Sequence, residues 1–223
     1  YKKILNKKKY DFGIFAGDIV FTPNDNSWNV IDKQLSKIKY KIFFAAGNHE
    51  YNDKETKKIY EKRYGKTFYN FKFKKDLFIV LDSNLNNQNI IGQQLKFFNK
   101  SIKENKFNNL YIVSHHLIWM HNQNIFKSNN KIFDLSSSNK SYPKDFKTNF
   151  GDEISTELLK LKNNVYFISG DLGAFPWVKS FYCKQYKNIK FLATGMGSGK
   201  NDNYISFEIL NNKNPKIKIN FFK

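Results

Sequence analysis

An α/β fold built on a largely parallel sheet is expected for this chain, on three observations. Apolar runs of strand length recur along it, each closed by a polar or glycine-containing turn. Segments of helical length lie between many of these runs. The 223 residues suffice for one sizeable domain and leave a second one cramped. Strand, helix, strand in succession requires crossover connections, and crossovers join parallel strands.

The expected strands occupy residues 11–16, 41–45, 77–81, 110–113, 165–168 and 189–193. Two more, 204–210 and 216–222, have no helix between them and predict an antiparallel hairpin. Helices are expected at 28–39, 54–64, 92–104 and 152–161. The stretch 122–150 is rich in Ser, Asn and Lys and has little periodicity. It is read as an insertion on the substrate side. The domain is taken as residues 1–223, apparently trimmed at its amino terminus because it begins with Tyr1 rather than Met.

Apolar residues make up 40% of the chain, with 23 Phe and 13 Tyr supplying much of that area, so a packed core can be built and disorder is excluded. There are 38 basic against 19 acidic residues, a net charge of +19. Such a surplus attracts anionic substrates and admits a nucleic-acid partner. Arg63 is the one arginine, however, and Lys rises together with Asn, Ile, Phe and Tyr, the pattern of AT-rich coding drift. Cys183 stands alone, which rules out an intramolecular disulfide or a thiolate cluster within the chain. A reducing, cytoplasmic setting is the expectation, with an upstream signal or anchor left open. No apolar run approaches the ~20 residues of a membrane span.

Chemistry-bearing residues fall at the strand ends. Asp18, Asn48, His115 and Asp171 each sit just past the carboxyl end of an expected strand. Ligands of open α/β sheets bind outside those ends, so four distant segments can converge on one point. Carboxylate and amide oxygens with one imidazole suit Mn, Fe or Zn, and less often Mg. A metal that activates water is what phosphate-ester hydrolysis needs.

Gly17-Asp18, then Gly47-Asn48-His49-Glu50, then Ser114-His115-His116, resembles the ordered motif set of the calcineurin-like metallophosphoesterases. The resemblance runs from about residue 11 to 210. It implies a four-layer α/β/β/α sandwich with two divalent metal ions bridged by a hydroxide, acting on a phosphorylated substrate. By the same resemblance Asp18 bridges the two metals, and Asn48 and His115 bind the second. His49 contacts the phosphate and protonates the leaving group, and Glu50 orients His49. The family's opening Asp-x-His motif is not in this chain. Its closing Gly-His-x-His reads Gly170-Asp171-Leu172-Gly173, where Asp171 replaces a histidine ligand and Gly173 cannot. Unequal metal sites follow, the more complete one being harder and tilted toward Mn, Fe or Mg.

His116 and His121 are candidate substrate contacts. Lys200 is a third, in a Gly-rich loop that lacks both the spacing and the Ser/Thr of a phosphate-binding loop. Asp82, after its strand, is a candidate support for the site, and Cys183 is read as a core residue. The expected activity is hydrolysis of a phosphate mono- or diester. The alternatives are a degenerate, non-catalytic scaffold, because of Gly173, and a nuclease, because of the charge.

Overall fold

The structure is a computed structural model that describes residues 6, 8–121, 148–173, 180–197, 201–209 and 214–222. Residues 122–147 of the expected insertion, the side chain of His121 and Lys200 lie outside this set.

The chain forms β1 (Phe12–Phe15), α1 (Asp25–Leu35), β2 (Lys41–Phe44), α2 (Lys54–Tyr64), β3 (Tyr69–Phe73), β4 (Asp76–Val80) and α3 (Gly92–Glu104). It continues with β5 (Asn109–Ser114), α4 (Ser155–Leu159), β6 (Asn164–Ser169), β7 (Phe181–Tyr186), β8 (Ile189–Thr194), β9 (Asn203–Glu208) and β10 (Lys216–Phe221). The largest sheet has the order β3-β4-β5-β6-β8-β7. Its four inner strands are parallel and both edges are antiparallel.

β1 and β2 do not join that sheet. They pair with each other in parallel, as crossover through α1 requires. β9 and β10 form the expected antiparallel hairpin. Helix α1 begins earlier than its apolar pattern implies, because the Asn24 side chain accepts from the Ser27 N–H at 2.9 Å and caps it. Asp53 and Thr56 make a reciprocal capping box at the start of α2. The helix expected at 152–161 opens instead with a π turn, Phe150–Ile154, before α4. Phe150 is itself in the core, so the end of the expected insertion belongs to the domain's packing.

Inner strands are buried on both faces and read as continuous apolar runs. On one face, Leu77, Ile79, Ile112, Phe167 and Phe191 pack against α3, the π turn and α4 through Phe98, Phe150 and Leu158. On the other, Phe78, Tyr111, Tyr166 and Leu192 meet residues of β1 and of the β9–β10 hairpin. The outer side of the β1–β2 pair is covered by α1 and α2 through Trp28 and Tyr60.

A ladder of stacked rings crosses the strands. Phe43 and Phe71 stack at 3.8 Å, Phe71 and Phe78 at 4.9 Å, Phe78 and Tyr111 at 4.5 Å, and Tyr111 and Tyr166 at 5.0 Å. Phe78 lies at its middle and also takes the edge of Phe12 at 5.2 Å. Phe78→Ala therefore breaks the ladder and leaves a cavity. It is expected to destabilise the fold by about 3–5 kcal/mol, read from the urea unfolding midpoint.

Cys183 is exposed on the edge strand β7, not in the core. Alternation along that strand turns it away from Tyr182 and Tyr186. Among the described residues, no helix is long and apolar enough to cross a membrane.

Candidate metal centre

β1, β2, β5 and β6 end side by side, and their following residues are laced together by backbone groups. The His115 carbonyl accepts from the N–H groups of Gly170 at 3.0 Å and Asp171 at 3.1 Å, tying the end of β5 to the end of β6. The Ala16 carbonyl lies 2.8 Å from His115 Nδ1, tying β1 to β5. A carbonyl can only accept, so the His115 proton sits on Nδ1 and Nε2 offers its lone pair.

Three oxygens crowd that lone pair. Asp18 Oδ1 lies 3.2 Å from His115 Nε2, Asn48 Oδ1 3.2 Å and Asp171 Oδ1 3.3 Å. Three oxygens directed at one nitrogen lone pair are costly unless a positive centre stands among them. Donors held ~2.0–2.2 Å from a common cation, at right angles to one another, sit about 3 Å apart. The donor set thus fits a metal ion. It is also open on one side: His115 and Asp171 are 1% and 5% exposed in their side chains, whereas Asp18 is 33% exposed. All four ligands expected from the strand-end pattern are brought together.

Local backbone makes the convergence achievable. Asp18 adopts a left-handed conformation at φ 55°, which costs a non-glycine residue free energy and persists where its surroundings hold it. The holding group is Glu50. Its carboxylate accepts from the N–H groups of Asp18 at 2.6 Å, Gly47 at 2.6 Å and Ile19 at 2.7 Å. Gly47 has to be glycine, since a Cβ there would meet Asp18 Oδ1, would lie 2.7 Å from Asp18 N and would lie 2.8 Å from Glu50 Oε2.

This corrects the expectation that Glu50 orients His49. Glu50 is spent on the turns after β1 and β2, while His49 Nδ1 faces the Phe21 carbonyl at 2.8 Å. That contact keeps the Nδ1 proton and leaves Nε2 without a hydrogen-bond partner among the described residues. Burial pushes the Glu50 carboxyl above the usual carboxylate range despite the N–H groups of Asp18 and Gly47.

His116 stands beside the cluster, its ring 4.9 Å from that of His115. Its Nδ1 lies 2.8 Å from Ser83 Oγ, and its N–H donates to the same oxygen at 3.0 Å. Ligand atoms of His115, His116 and Asp171 all lie within 4.8 Å of one another, so His116 can add a nitrogen to the set. Asp82 is fully buried. It accepts from the Tyr51 hydroxyl at 2.6 Å and the Asn84 N–H at 3.1 Å. Asn84 in turn donates from its side chain to the Gly47 carbonyl, so the turn after β4 braces the turn after β2. Ser83, Asn84 and Tyr51 were not singled out from the sequence, although the strand-end rule that found Asp18 applies equally to Ser83 and Asn84. Phe21 was also missed. It is 87% exposed, with its ring 5.4 Å from His49 at the open side.

A match to the calcineurin-like phosphoesterase family covers residues 1–175 and so includes all four strand-end turns. The chain belongs to that family. Comparison with curated proteins finds no match. Phosphoester hydrolysis is the general chemistry of the family, and divalent metals are its usual cofactors.

Proposed function

We propose that this chain hydrolyses a phosphate mono- or diester with the help of a divalent cation held by Asp18, Asn48, His115 and Asp171. The observation that carries the reading is the crowding of three oxygens around the His115 Nε2 lone pair at 3.2–3.3 Å. When bound, the metal supplies Lewis acidity toward the phosphate oxygens and a water of lowered pKa. Two carboxylates, an amide and one imidazole make a hard donor set, which favours Mn or Fe, with Zn and Mg following. A four-layer α/β/β/α arrangement is supported by the packing of helices outside both sets of strands.

His49 is the proton donor in this reading. With Nδ1–H donating to the Phe21 carbonyl, Nε2 is the atom that meets the phosphate and protonates the leaving oxygen. Glu50 acts by position, holding Asp18 and Gly47 so that the oxygens of Asp18 and Asn48 keep their places. Asp18 is the residue that a second cation would share. The test is hydrolysis of phenyl phosphate by metal-stripped protein reconstituted with Mn²⁺. His49→Gln is expected to lower kcat by about 10²–10⁴-fold while metal content stays unchanged. Metal-loaded wild-type protein that hydrolyses no ester would instead make it a non-catalytic scaffold.

A further inference from the structure

Next to the metal-centre residues lies a cleft of about 340 Å³ that shares Asn48 and His116 with the site. Its remaining lining comes from Tyr51 and Asn52 after β2 and from the turn after β4, including Asn84 and Gln88. Two features set it apart. Among the described residues no Lys, Arg, Asp or Glu lines it, in a chain with 38 basic residues. Moreover, Asn84 Oδ1 and Gln88 Oε1 are buried and have no hydrogen-bond partner among the described residues. Buried acceptors are ordinarily satisfied, so a pair left open in one cleft points to a donor-bearing ligand.

The backbone there is strained as well. Asn86, Asn87 and Gln88 are consecutive left-handed residues, at φ 51°, 51° and 66°. They are held by the Asn89 side chain, which donates to the Asn86 carbonyl at 3.0 Å and the Asn87 carbonyl at 3.2 Å. Strain maintained in this way gathers at ligand clamps.

We propose that this cleft is the leaving-group subsite and that it selects an uncharged, hydroxyl-rich alcohol, a polyol or a single sugar. The proposal rests on the hydrolase reading of the adjoining site. In hydrolysis the water oxygen bonds to phosphorus, the ester P–O bond breaks, and the departing oxygen takes a proton to become that alcohol. Hydroxyl groups would donate to Asn84 Oδ1 and Gln88 Oε1. An apolar leaving group would leave both acceptors unmet, and an ionic one would find no counter-charge among the described lining residues. A volume near the low end of the ~300–1,000 Å³ of small-molecule sites suits one such unit rather than a polymer.

The experiment compares kcat/KM for sorbitol 6-phosphate and phenyl phosphate in Mn²⁺-loaded wild type and Gln88→Met, which keeps the side chain's length and removes its acceptor. The ratio of the two values is expected to fall about tenfold in the variant. An unchanged ratio would overturn the subsite while leaving the hydrolase reading intact. Hydrolysis of neither ester would sink the hydrolase reading instead. The cleft is then judged on wild-type protein by NMR titration with sorbitol 6-phosphate. Shifts of the Asn84 and Gln88 side-chain amides that phenyl phosphate does not cause would uphold it, and their absence would overturn it.

Discussion

Mn²⁺ at a hundredfold excess over its dissociation constant is expected to raise the melting temperature of the wild-type chain by roughly 5–11 °C, and His115→Ala is expected to remove that rise. The magnitude is mass action: a ligand at 100 Kd that binds only the folded state adds about 2.7 kcal/mol, and about 2–4 °C follows each kcal/mol in a chain of this size. The sign in the variant follows from geometry. His115 Nε2 is the atom that Asp18, Asn48 and Asp171 all face at 3.2–3.3 Å. Truncation at Cβ removes the nitrogen donor. It also empties a buried site, since His115 is 1% exposed. The unliganded variant is therefore less stable than unliganded wild type, and the diagnostic quantity is the loss of the Mn²⁺-dependent rise. A variant that still gains several degrees with Mn²⁺ would place the metal elsewhere.

Glu50→Ala carries the second large effect. The change strands the N–H groups of Asp18, Gly47 and Ile19, which Glu50 accepts at 2.6–2.7 Å, at a position only 1% exposed. Each buried donor left unmet costs about 1–3 kcal/mol, so a loss of about 3–6 kcal/mol in unfolding free energy is expected. That is at the large end for a single substitution and is tied to one mechanism. The left-handed Asp18 loses its support at the same time, so Mn²⁺ affinity falls together with stability. Denaturant unfolding and Mn²⁺ titration on the same variant separate this role from proton handling. A variant of native stability and native Mn²⁺ affinity, impaired only in kcat, would return Glu50 to catalysis.

The inner sheet was legible in the sequence because its strands are buried on both faces. Runs such as Leu77-Phe78-Ile79-Val80 and Leu110-Tyr111-Ile112-Val113 admit few other readings. The edge strands were not. Tyr69–Phe73 alternates its aromatic residues with Asn70 and Lys72, and Phe181–Tyr186 carries Lys184 and Gln185. Half of each strand faces solvent, which dilutes the apolar signal on which strand recognition depends.

In the site, Asp18, Asn48, His115 and Asp171 could be found because a single rule, position after a strand end, picks out all four. The role of Glu50 could not, because its partners are backbone N–H groups, two of them in a turn 31–32 residues away, and a main-chain donor has no signature in side-chain identity. The amide-lined cleft was hidden for another reason. Asn is so frequent in this chain that Asn84, Asn86 and Asn87 look like background until their backbone angles and unmet oxygens are known.

The most direct measurement is metal content by elemental analysis of protein reconstituted with Mn²⁺ and then desalted, for wild type and for Asp171→Ala. Near-stoichiometric metal in wild type that falls sharply in the variant is the expected result. No retained metal in either protein, after exposure to excess Mn²⁺, Fe²⁺ and Zn²⁺ in turn, would contradict a metal centre at Asp18, Asn48, His115 and Asp171.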